Sequence, residues 1–225
     1  VPVAEYALGA ILLSLKHFWR FAGLARQGLG WEPERPALPP GAYRSAVGLI
    51  SFGMVARKLN ELLRAFDLDR LVACPFLRPE EAGEHGVELC ALPDLFRRSD
   101  VVSLHTPDLP ETRGMITGEL IASMKPGATF LNTARGAVVR QEEMIEALLA
   151  RPDLTAILDV THPEPPEPDS RLLSLPNVVL TPHIAGSLGA ECRRMGRYMA
   201  EELQRYLAGK PLRWGISREQ AAKLA

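Results

Sequence analysis

Three short polar segments in the second half of the chain hold side chains whose chemistry is complementary. Asn132-Thr133-Ala134-Arg135-Gly136 carries a guanidinium, Asp159-Val160-Thr161-His162-Pro163-Glu164-Pro165 carries carboxylates, and Thr181-Pro182-His183-Ile184-Ala185-Gly186 carries an imidazole. Reducing a 2-keto acid needs an anchor for the substrate carboxylate, a hydride donor and a proton donor. Arg135 offers a planar fork that grips a carboxylate at two points. His183 has the side chain type best suited to give and take a proton near neutral pH. Glu164 is placed to pair with that ring and fix its orientation. Taken singly, each reads as a solvated loop residue. What joins them is their order behind successive apolar runs.

Those runs are Ala46–Ser51, Arg70–Cys74, Val101–His105, Ala128–Asn132, Thr155–Asp159 and Asn177–Thr181. Helical patterns separate them at Met54–Phe66, Pro93–Arg98, Thr117–Met124 and Gln141–Leu149, with a short turn near Arg171–Leu173. Continuous apolar strands alternating with helices predict an α/β fold, a doubly wound parallel sheet of six strands covered on both faces. Ligands of such sheets sit at the carboxyl ends of the strands, where the three polar segments lie. One long helix is expected before the sheet, Val3–Phe21, and one after it, Leu188–Leu207, with Cys192, Met195, Met199, Leu203 and Tyr206 on one face. Two stretches exclude regular structure by their prolines: Gln27–Gly41 and His162–Asp169.

The first strand runs into Ser51-Phe52-Gly53-Met54-Val55-Ala56, which opens a helix. The dinucleotide fingerprint is G-x-G-x-x-G, with alanine tolerated last. Here Ser51 replaces the first glycine, where it strains the tight turn, and Ala56 the last. Gly53 remains where backbone approaches the pyrophosphate. The phosphates would rest on the amides at this helix start, with Ser51, Gly53, Met54 and Val55 around them. The second strand ends at Cys74-Pro75, where an acid usually holds the adenosine ribose. A thiol makes no such bond. Arg78 lies close by, so both NAD and NADP remain open as cofactors.

The three polar segments, in order and spacing, resemble the signature segments of the D-isomer-specific 2-hydroxyacid dehydrogenases. Leu104-His105-Thr106-Pro107, Glu111-Thr112-Arg113-Gly114-Met115-Ile116 and Met124-Lys125-Pro126-Gly127 are similar to that family as well. The likeness is to its Rossmann-type NAD-binding domain, of the phosphoglycerate and glycerate dehydrogenase kind. It implies that Arg135 binds the substrate carboxylate, that His183 is the acid/base and that Glu164 is its partner. It also implies that Asp159 contacts the nicotinamide amide and that Thr133 and Ala134 border the ring. His105, Thr106 and Pro107 would line the cofactor cleft, and Arg135 and His183 would face the cofactor too. A homodimer formed through the dinucleotide domain, near the first helix, is expected on the same ground.

The family has two domains, and Val1 falls where its crossing helix begins. The reading is therefore of a chain lacking about a hundred residues of substrate domain, a normal domain size. Residues 1–208 would be the dinucleotide domain and 209–225 a tail returning to the missing part. The alternatives to an oxidoreductase are an inactive fragment of the enzyme, or a dinucleotide-sensing, corepressor-like binding protein, since some relatives of the family are corepressors. A formal net charge of -1, with 26 basic and 27 acidic residues, gives no surface for nucleic acid. No run is long enough to span a membrane. Three widely spaced cysteines suit reduced thiols in a cytoplasm, and no His/Cys cluster has the spacing of a metal site. His85 and His162 read as surface residues.

Overall fold

The computed structural model describes residues 1–31 and 41–221, so Pro36, Pro39 and Pro40 of the expected loop lie outside the described residues. Two helices, α1 (Pro2–Ser14) and α2 (Phe18–Arg26), precede β1 (Ala46–Ile50), α3 (Met54–Leu63), β2 (Asp69–Ala73), α4 (Pro79–His85) and β3 (Glu88–Leu89). Then follow α5 (Leu92–Arg98), β4 (Val101–Leu104), α6 (Gly118–Ala122), β5 (Thr129–Asn132), α7 (Gln141–Ala150), β6 (Thr155–Leu158) and β7 (Val178–Leu180). The chain continues through α8 (Ala190–Leu207) to a short α9 (Arg218–Ala221).

The strands form one sheet in the order β3-β2-β1-β4-β5-β6-β7, with every pairing parallel. Strand order reverses between β1 and β4, which creates the crevice where such sheets take ligands. Because side chains alternate along a strand, neighbouring residues fall into opposite layers. Ile50, Leu104 and Phe130 pack with Phe96 and Ile145 on one side. Val47, Leu49, Leu131 and Ile157 pack with Ile11, Leu59 and Leu63 on the other. Helices thus cover both faces, as continuous apolar strands require.

Three expectations change. The sheet has a seventh strand, β3, which with α4 fills the stretch between the second and third expected strands. Its two residues, Glu88 and Leu89, are too few for any apolar run to show. The single helix expected over Val3–Phe21 is two, broken at His17, whose φ is 49°. A local turn, with His17 N donating to Ser14 O, ends the first helix, and Gly41 N, distant in sequence, donates to Leu15 O. Finally, α8 forms with the expected face, but none of its residues is buried, and Met195, Met199, Leu203 and Tyr206 are all exposed. Among the described residues, no helix is long and apolar enough to cross a membrane.

Candidate active site at the carboxyl edge of the sheet

The strands β5, β6 and β7 end level with one another, Asn132 beside Leu158 and Leu158 beside Leu180. The three polar segments therefore leave the same edge side by side. Buried Asn132 shapes the first: its Oδ1 accepts from Ala134 N at 2.9 Å and its Nδ2 donates to Arg135 O at 3.1 Å. This amide clamp presents Arg135, which is exposed and donates to Ala134 O at 2.7 Å. Gly136 then lies flat against the backbone of Thr161 and His162, where any side chain would collide. The Arg135 loop and the Glu164 loop are pressed together by that absence.

His183 Nδ1 and Glu164 Oε1 are 2.6 Å apart. An ionised carboxylate can only accept, so Nδ1 carries the hydrogen. Nε2 is left as the ring nitrogen with no protein hydrogen bond among the described residues. Both side chains remain accessible, at 48% and 39%. Glu164 Oε2 also accepts from Thr161 N at 3.4 Å. The histidine itself stands at φ 54°, a left-handed conformation that non-glycine residues leave unless held.

Asp159 does that holding. It is 2% exposed, and its carboxylate is bonded within the protein. Oδ1 accepts from Thr181 Oγ1 at 2.6 Å and from Ile184 N at 2.8 Å, and Oδ2 accepts from Ala185 N at 2.9 Å. Its main-chain oxygen accepts from His183 N at 2.9 Å. The roles of Asn132 and Thr181 were not legible in the sequence beyond their place at strand ends.

At the other end of the crevice, Ser51 sits at φ 72°, the left-handed conformation that a glycine at the first position of the fingerprint would adopt without strain. Gly53 caps α3 with φ -76° and ψ -168°, and a Cβ built on it meets no atom within 4 Å. Neither backbone conformation nor packing calls for glycine here, whereas a ligand lying on this turn would. Met54 is exposed and Val55 half-buried at the helix start. Cys74 is half-buried directly after β2, and exposed Arg78 precedes α4.

Between the two ends, the hydroxyls of Thr106 and Thr133 are buried without a hydrogen-bond partner. Both follow strands of the crevice, β4 and β5. Buried polar groups are normally paired, so two orphans at one ligand edge fit a polar group of a bound molecule. His105 bonds to Ser103 Oγ at 2.9 Å, and burial pushes its imidazole down to about 4, leaving it neutral. Pro107 O accepts from Thr112 Oγ1 at 2.6 Å, which fixes the loop after β4. The open turn at Gly53 and these two hydroxyls together fit a dinucleotide laid across the edge.

His85 is not the surface residue expected. It is half-buried, lies edge-on to Phe52 with centroids 5.2 Å apart, and bonds to Arg57 Nη1 at 2.8 Å. Arg57 in turn donates to Phe52 O at 3.0 Å and to Glu81 at 2.6 Å, bracing the turn that holds Gly53. His162 is exposed as expected. Among the described residues, no group of three or more His, Cys, Asp or Glu is arranged to hold a metal.

The profile of the D-isomer specific 2-hydroxyacid dehydrogenase NAD binding domain matches residues 8–185. The chain belongs to that family. The matched residues take in the whole sheet and the three polar segments as far as Ala185. Among curated relatives, the chain is 32% identical to a D-3-phosphoglycerate dehydrogenase of Archaeoglobus fulgidus over 96% of its own length and 41% of the relative's. It is 36% identical to a hydroxypyruvate reductase of Thermotoga maritima over 89% of its length and 65% of the relative's. A solved D-isomer specific 2-hydroxyacid dehydrogenase from Xanthobacter autotrophicus Py2, in complex with NADPH and MES, superposes with a TM-score of 0.79 at 28% identity. That match covers 96% of this chain and 87% of the other. The chain thus spans between two fifths and two thirds of the length of these curated relatives.

Proposed function

We propose that the chain is the cofactor-binding and proton-transferring part of an NAD(P)-dependent oxidoreductase that interconverts small 2-keto acids and D-2-hydroxy acids. The observation that carries this reading is the His183–Glu164 pair at 2.6 Å, one strand end away from Arg135. A bound nicotinamide supplies the hydride. Gly53, Met54 and Val55 would receive the pyrophosphate on the amides of α3, and Thr106 and Thr133 would offer their unpaired hydroxyls further along the edge. Arg135 grips the substrate carboxylate through its two-point fork. His183 delivers a proton from Nε2 to the carbonyl oxygen as that oxygen gains negative charge. Glu164 keeps the Nδ1 hydrogen in place and opposes the charge of the imidazolium, so the ring does not turn. In the oxidative direction Nε2 takes the same proton back. The relatives' names point to acids that share a carboxylate next to a carbonyl or hydroxyl, which is what Arg135 and His183 are suited to recognise.

The test follows NADH absorbance in the whole protein with glyoxylate, hydroxypyruvate, pyruvate and phosphohydroxypyruvate. His183→Ala is expected to lower turnover by about a hundred- to ten-thousand-fold. Dinucleotide affinity should be nearly unchanged. Turnover within about threefold of the parent would remove His183 from this role.

We propose also that two copies pair through α1 and the turn after it. Ala4, Ala7 and Ile11 of α1 are buried in the core, whereas Leu13 near its end, Phe18 at the start of α2 and Leu29 after α2 remain 38%, 44% and 47% exposed. Light scattering is expected to report twice the chain mass of 24.7 kDa; the mass of one chain would reject the pairing.

A further inference from the structure

We infer that Tyr6, on the first helix, is a positioning residue for the acid/base histidine and acts through a hydroxyl relay to Asp159. The inference rests on the role proposed above for His183.

Tyr6 Oη lies 2.8 Å from Thr181 Oγ1, and Thr181 Oγ1 lies 2.6 Å from Asp159 Oδ1. The direction of the relay follows from counting hydrogens. A carboxylate has none to give, so the single hydroxyl hydrogen of Thr181 goes to Asp159. The Thr181 oxygen is then an acceptor toward Tyr6, and the phenol is the donor. Burial pushes the Tyr6 phenol above its usual range, with the Asp159 charge adding to the effect, so the donor keeps its hydrogen.

The relay ends on the group that shapes the active loop. Three successive backbone amides, those of His183, Ile184 and Ala185, donate to Asp159 through its main-chain oxygen, Oδ1 and Oδ2 in turn. The torsion that turns a carboxylate about its last bond is broad. Two amide bonds alone leave it some freedom, and the Thr181 hydroxyl on Oδ1 is the third restraint. Tyr6 fixes the rotor of that hydroxyl. The left-handed His183 backbone, which stores strain, is thus kept in place by a chain of bonds that starts at Tyr6, 175 residues before Thr181 in sequence. If Tyr6 served packing alone, phenylalanine would replace it at no cost to chemistry.

The test compares Tyr6→Phe, Thr181→Val, Thr181→Ser and the Tyr6→Phe/Thr181→Val double variant in the whole protein. Each is assayed for kcat and KM, and each is followed by NMR for amide exchange at Ile184 and Ala185. Tyr6→Phe is expected to lower kcat by about two- to tenfold, the effect of one hydrogen bond. KM for the keto acid should stay within about twofold, because Arg135 is untouched. Ile184 and Ala185 should exchange faster. Thr181→Val should do the same or more, the double variant should be no slower than Thr181→Val alone, and Thr181→Ser should keep the parental rate. The inference is overturned if Tyr6→Phe leaves both kcat and the two amides as they were, or if the two single effects multiply in the double variant. Absence of turnover in the parent would reject the oxidoreductase reading instead. The amide exchange then decides the relay by itself.

Discussion

The crevice holds its polar residues in opposite ways at its two ends. Behind β6 and β7, a left-handed His183 is tied down by three amides on Asp159, and its ring is bonded to Glu164. Behind β1 and β2, a left-handed Ser51 stands in the turn that opens α3, and half-buried Cys74 follows β2, where we propose that the adenosine ribose lies. Both ends contain a strained residue. Only the first surrounds it with side-chain bonds that a catalytic geometry would need. At the second, Ser51 is left-handed, and exposed Gly53 and Met54 offer backbone rather than charged side chains. A turn can thus hold an anion through backbone geometry, whereas acid/base chemistry needs particular side chains.

The comparison can be broken most sharply at the chemical end. Arg135→Lys keeps the charge and loses the planar fork, so KM for the keto acid should rise by about tenfold or more. An unchanged KM, measured by steady-state kinetics, would place the substrate carboxylate elsewhere. At the cofactor end, two neighbouring substitutions should act in opposite senses. Gly53→Ala adds a Cβ into open space at an ordinary backbone angle, so the melting temperature should move by no more than about 2 °C, while dinucleotide affinity falls by about tenfold. Ser51→Gly relieves a left-handed residue and should stabilise by about 1 kcal/mol after the entropy of the added glycine is counted. Calorimetry of both variants, with and without NAD, separates what the turn does for the fold from what it does for a ligand. Should Gly53→Ala lose stability and keep affinity, the assignment of the turn would be reversed.

Much of this was legible in the residue pattern. The strand runs lie within about a residue of the observed strands, because fully buried parallel strands announce themselves as unbroken apolar segments. The three polar segments were visible because chemistry at such sheets collects at strand ends. What stayed hidden depends on contacts between distant parts of the chain. Nothing in the residue types at His17 marks a helix break, since neither glycine nor proline stands there, and the long-range bond beside it is Gly41 N to Leu15 O. A two-residue strand such as β3 has no periodicity to detect. His85 looks like a solvated loop histidine until Phe52 and Arg57 are seen around it. Tyr6 reads as one more face of an apolar helix, and its hydroxyl partner lies on the last strand end. The amphipathic face of α8 was legible as a face, yet nothing in the sequence says which surface it meets, and among the described residues none of its side chains is fully buried.

The proposed place of Cys74 at the ribose is tested most directly by the choice between NAD and NADP. An acid at the end of the second strand both bonds the ribose 2′-hydroxyl and repels a 2′-phosphate; a thiol does neither. NAD and NADP are titrated separately into the protein and into Cys74→Asp, and the ratio of the two Kd values is compared. The account predicts a permissive parent and a ratio that shifts toward NAD by about tenfold or more in the variant, the effect of a charged hydrogen bond. A ratio that does not move would show that Cys74 lies away from the ribose, and that the departure read at this end has no bearing on the cofactor.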